Sequence, residues 1–117
     1  MKRDFDLIRK ILLYVEENHK GDSLMINELE DYDNQILIFH CKLLEDLGLI
    51  KGNALECLTP GDDDFQCFGL TYDGYDFLDK IRNDSTWNKI KDYAKEHAME
   101  LAFNTINTIF TIIGNIQ

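Results

Sequence analysis

The sequence predicts a mostly helical α+β chain with one small β-hairpin. Three observations predict it: apolar residues recur at helical steps along several segments, two short extended runs flank the turn signal Thr59-Pro60-Gly61, and 117 residues at 44% hydrophobic content suffice for an ordinary core.

The first helix is expected over residues 4–18. Phe5, Ile8, Leu12 and Val15, flanked by Leu7, Ile11 and Tyr14, make its apolar stripe; Asp4 serves as N-cap or first-turn acid, and Lys20-Gly21-Asp22 ends it. Leu24-Met25-Ile26 reads as a short strand. A second helix follows Asp31-Tyr32-Asp33 and runs to about residue 47, with Ile36, Phe39, Leu43, Leu44 and Leu47 on its apolar face and Gly48 closing it. Its opposite face is expected to carry Asn34, Gln35, Ile38, Lys42 and Glu45. Residues 49–58 and 65–70 are extended runs joined by Thr59-Pro60-Gly61-Asp62-Asp63-Asp64, a hairpin with an acidic tip. Thr71 caps a third helix carrying Tyr75, Phe77, Leu78 and Ile81, and Asp84 or Ser85 caps the next, which begins at Trp87. Trp87, Ile90, Ala94, Ala98, Ala102, Ile106, Ile109 and Ile113 then keep helical spacing to the end. Two outcomes stay open there: a break within 98–105, favoured by the Thr and Ile content, or an unbroken rod of ~40 Å.

Helix, short strand, helix, hairpin and helix is the element order of a winged helix-turn-helix variant. Residues 1–84 are expected to form that domain and residues 85–117 a C-terminal helical extension, used for core packing or dimerisation. The interval between the first two helices leaves little room for a further full helix. The two phrases that carry the reading are Leu43-Leu44-Glu45-Asp46-Leu47-Gly48-Leu49-Ile50 and Leu70-Thr71-Tyr72-Asp73-Gly74-Tyr75-Asp76-Phe77-Leu78.

Several separated motifs extend the likeness. Met1-Lys2-Arg3-Asp4, Leu7-Ile8-Arg9-Lys10-Ile11-Leu12, His40-x-Lys42-Leu43-Leu44, Leu70-Thr71-x-x-Gly74-x-x-Phe77-Leu78-Asp79 and Trp87-Asn88-Lys89 occur in an order that resembles the domain-of-unknown-function 2513 family of bacterial and phage or prophage proteins. The resemblance spans about residues 1–95. It implies a mobile-element origin and a winged-helix-like fold, and it supplies no catalytic or binding residues.

Charge narrows the class of partner. The formal net charge is −10, but residues 1–20 and 80–117 each stand at +1 while residues 21–79 stand at −12. Such a middle repels phosphate and suits a basic partner. Nucleic acid is the alternative: Asn34, Gln35 and Lys42 are the DNA-contact candidates of the second helix, yet Glu45, Asp46 and three consecutive aspartates oppose phosphate contact. A different pose would use Lys2, Arg3, Arg9 and Lys10 with Lys89, Lys91 and Lys95. The protein-contact candidates are Asp62, Asp63, Asp64, Glu45 and Ile38, with Ile106, Ile109, Phe110 and Ile113 as a candidate homodimer seam.

No catalytic set emerges from the residue types. His19, His40 and His97 have no ligand spacing with one another or with Cys41, Cys57 and Cys67, and Asp31-x-Asp33-x-Gln35 lacks the Gly and distal Glu of a calcium loop. The expectation is a non-enzymatic cytoplasmic protein without cofactor or metal. Its cysteines are expected to be reduced, with Cys57 and Cys67 the pair that a hairpin would bring face to face. The sequence has no uninterrupted apolar signal region, and residues 98–113 are too short and polar to span a bilayer. The preferred function is regulatory contact with a basic, nucleic-acid-binding protein target, as adaptor or inhibitor; the alternative is a DNA-binding transcriptional regulator.

Overall fold

The computed structural model of the chain describes residues 1–29, 31–59 and 61–116, without the side chains of Glu28, Asn115 and Ile116. The turn expected at Pro60 lies outside the described residues. The chain divides into two compact units, Met1–Tyr75 and Asp76–Gln117.

The first unit contains α1 (Phe5–Asn18), β1 (Leu24–Met25), one 3-10 turn (Ile26–Glu28), α2 (Asn34–Asp46), β2 (Ile50–Leu55), β3 (Asp64–Leu70) and the opening turn of α3 (Tyr72–Ile81). Its sheet is antiparallel in the order β1-β3-β2, so the first strand pairs with the far arm of the hairpin. The interval expected to be too short for a full helix holds β1 and the 3-10 turn.

α1 forms where its periodicity placed it. Asp4 Oδ1 accepts from the Leu7 N–H at 3.2 Å, and Phe5, Leu7, Ile8, Ile11, Leu12 and Val15 are buried, each contributing about 1.5–3 kcal/mol. α2 is rotated from expectation. It buries Leu37, Ile38, His40, Cys41 and Leu44, whereas Ile36, Phe39 and Leu43 are half-buried and Leu47 is 44% exposed. Ile38 is 6% exposed and belongs to the core instead of the solvent face. The cause lies in residues 36–39, which are apolar on every side, so hydrophobic spacing alone leaves two faces nearly equal. His40 and the small apolar Cys41 decide between them. His40 Nε2 accepts from the Asp4 N–H at 2.8 Å and its Nδ1 lies 2.8 Å from the Ile36 carbonyl, which turns the ring inward.

The end of α2 is closed by paired bonds: Leu49 N–H donates to Leu44 O and Gly48 N–H to Glu45 O, with Gly48 at φ +75°. The Thr71 N–H then donates to Leu49 O at 3.0 Å and Thr71 Oγ1 to Gly48 O at 2.5 Å, while the same hydroxyl accepts from the Gly74 N–H. A Cβ at Gly74 would stand 2.0 Å from the Leu49 carbonyl oxygen. Both phrases that carried the fold expectation therefore meet at one seam. Cys67 sits opposite Gly52 in the hairpin and Leu24 on the other side, so it does not face Cys57; all three cysteines are free thiols, Cys41 and Cys67 buried and Cys57 exposed.

The second unit holds the remainder of α3, α4 (Asp84–Glu96) and α5 (Phe103–Ile116). Asn83, one residue before the expected caps, accepts from the Thr86 N–H and opens α4. The final segment is broken. α4 closes with Met99 N–H donating to Ala94 O and Ala98 N–H to Lys95 O, which places Ala98 at φ +51°. Thr105 Oγ1 then accepts from the Ala102 N–H at 2.7 Å at the start of α5. Phe77 lies against Phe103 at 4.9 Å between ring centroids, and α5 packs on α4 with Trp87, Ile90, Ala94, Ile106 and Ile109 buried.

Candidate functional site

The surface formed by α2 and the β2–β3 hairpin carries Asn34, Gln35, Lys42, Glu45, Asp62 and Asp63 of the candidate residues. Asp33 caps α2 by accepting from the Gln35 N–H at 2.8 Å. One turn of chain thereby sets both amides against the hairpin. Asn34 Nδ2 donates to the Asp63 carbonyl, and Gln35 Nε2 reaches Asp63 Oδ2 at 3.4 Å. Asp63 Oδ1 also accepts from the Cys57 N–H at 2.8 Å, so this carboxylate ties the two hairpin arms to each other and to α2. Asn34 Oδ1 is buried and has no hydrogen-bond partner among the described residues.

The three aspartates consequently differ. Asp62 is exposed, Asp63 is half-buried and structurally engaged, and Asp64 is 5% exposed. Asp64 Oδ1 accepts from the Phe65 N–H at 2.7 Å and the Asn27 N–H at 3.2 Å, so it belongs to the frame of the sheet. The exposed acids of this surface are Asp33, Glu45, Asp46, Glu56 and Asp62, against Lys42 and Lys51. Sequence reading found the acidity but not its division between surface and frame. Side-chain acceptors that serve backbone N–H groups carry no signal in charge counts.

Lys10, Lys91 and the seam candidates fall on other elements. Lys10 Nζ lies 3.1 Å from Tyr32 Oη and 5.3 Å from that ring's centroid; the Tyr32 hydrogen bond raises the lysine pKa above its ordinary value. Lys91 stands over the Trp87 ring at 5.7 Å. Of the seam candidates, Ile106 and Ile109 are fully buried within the chain, while Phe110 and Ile113 are half-buried. His97 stacks on Tyr93 and His19 borders Gly69. Burial pushes the Cys41 and Cys67 thiols up from the ordinary cysteine value. No group of three or more His, Cys, Asp or Glu side chains suited to a metal ion occurs among the described residues. No helix among them is long and apolar enough to cross a membrane.

Two features escaped the sequence reading. His40 joins α2 to the cap of α1, although Asp4 and His40 each lay in a quoted motif. Leu47, Tyr72 and Tyr75 are exposed, the first because α2 is rotated and the tyrosines because Gly74 turns the opposite side of α3 inward.

The architecture is thus a mostly helical α+β protein with a three-stranded antiparallel sheet and an acidic helix–hairpin surface. Residues 2–100 match the family described as Hypothetical protein (DUF2513), and the chain belongs to that family. It is similar to a Haemophilus influenzae protein described as an uncharacterized protein, with 35% identity over 118 residues covering 99% of this chain and 98% of the relative. No solved structure matches it.

Proposed function

We propose that the chain is a phage- or prophage-type winged-helix variant that works in the cytoplasm, without catalysis or cofactor, as a regulatory adaptor or inhibitor contacting a basic, nucleic-acid-binding protein. The element order supports the winged-helix reading, with the 3-10 turn in place of a second full helix and β1 paired to the far hairpin strand. The mobile-element origin rests on the motif resemblance.

One observation carries the choice of partner. On the surface that a winged helix would press onto a duplex, Asn34 and Gln35 are turned onto Asp63, and the exposed charges are Asp33, Glu45, Asp46, Glu56 and Asp62 against Lys42 and Lys51. The amide nitrogens suited to reading base edges are turned onto Asp63, and phosphate meets repulsion. The same field attracts a basic protein surface and speeds its encounter. The test is affinity capture from the host cell with the native chain and with the Glu45→Lys/Asp46→Lys/Asp62→Lys variant, read by quantitative mass spectrometry. The expected result is a basic nucleic-acid-binding protein retained by the native chain and lost by the variant; equal retention by both contradicts the reading.

A further inference from the structure

The seam between α2 and α3 leaves apolar surface outside. Thr71 is bonded to Gly48 and Leu49, and Gly74 faces Leu49, so the first turn of α3 is fixed beside the end of α2. On that turn Tyr72 and Tyr75 stand three residues apart, hence on one helix face, and away from Gly74. Tyr72 is 81% exposed and Tyr75 45%. Leu47, likewise exposed, immediately precedes Gly48, whose carbonyl accepts the Thr71 hydroxyl. Glu45 and Asp46 immediately precede Leu47 in the chain and Asp73 follows Tyr72, and all three carboxylates are exposed.

Tyrosines are recurrent anchors of protein interfaces because they bury large area at little rotamer cost, and their ring faces attract guanidinium and ammonium groups. A carboxylate rim adds charge-assisted partners for the same cations and opposes acidic segments. The seam bonds hold the two elements in place before any partner arrives, which lowers the ordering cost of binding. Resting on the basic-partner reading above, we propose that Leu47, Tyr72 and Tyr75, rimmed by Glu45, Asp46 and Asp73, form the contact point. Its occupant is a protein segment that presents arginine beside an apolar side chain: the apolar group covers Leu47, the guanidinium stacks on tyrosine, and the acids hold its N–H edge.

The test titrates the ¹⁵N-labelled full chain with a synthetic peptide of alternating arginine and leucine at about 0.15 M salt. A matched peptide carrying glutamate for arginine serves as control. Amide shifts clustered at residues 45–49 and 71–75, an affinity reduced about tenfold by Tyr72→Ser, and no response to the glutamate peptide are the expected results. Tyr72 is exposed enough that Tyr72→Ser keeps the fold, which the spectrum itself verifies. Shifts centred on residues 56–63, or unchanged affinity in Tyr72→Ser, overturn this location while leaving the basic-partner reading intact. Failure of the arginine peptide to bind at ~1 mM, or equal binding of both peptides, overturns both.

Discussion

At the scale of single residues, several polar side chains of this chain act as internal fasteners. His40 is 1% exposed, and its Nε2 accepts the Asp4 N–H while its Nδ1 contacts the Ile36 carbonyl, which assigns the Nδ1–H tautomer. Replacing it by Phe keeps a ring in the core but strands the Asp4 N–H. His40→Phe is therefore expected to cost about 1–3 kcal/mol in urea denaturation, and an unchanged midpoint would deny the ring its bridging role. Thiols give a second prediction. Because burial raises Cys41 and Cys67, their thiolate fraction near pH 8 stays below that of an ordinary cysteine, and solvent is excluded as well. Excess thiol reagent should modify one group per folded chain, Cys57, and three after unfolding. Fast modification of two or three groups in the folded protein would contradict the buried placement.

At the scale of elements, two backbone positions pull in opposite directions. Gly74 has no room for a side chain, since its added Cβ would overlap the Leu49 carbonyl oxygen. Ala98 already carries one in the left-handed region that closes α4, a conformation glycine adopts without steric cost. Thermal denaturation should show Gly74→Ala destabilising by about 1–3 kcal/mol and Ala98→Gly stabilising by up to about 1 kcal/mol. The same sign for both would contradict the packing at one of these helix ends. These positions also show what was readable in advance. Thr71 and Gly48 declared themselves by residue type at helix ends, and α1 by a stripe with one polar side. α2 misled because its apolar residues encircle it and the deciding contact, from Asp4 to His40, spans distant parts of the chain. The close of α4 lacked glycine, so its site within the last segment showed only as weakened propensity.

At the scale of the whole molecule, net charge was readable as a sum and unreadable as a surface. The middle of the chain carries −12, yet Asp63 and Asp64 spend their oxygens on Cys57, Gln35, Asn27 and Phe65, whereas Asp33, Glu45, Asp46, Glu56 and Asp62 face outward. On the proposed reading, that outward set repels phosphate where a winged helix would approach DNA. Fluorescence anisotropy of a labelled duplex, followed from about 0.05 to 0.3 M salt, measures this directly. No binding at any salt, even at high protein concentration, is the predicted result. Binding that weakens steeply with salt, and that is lost on substituting Lys42 and Lys51 with glutamate, would contradict it.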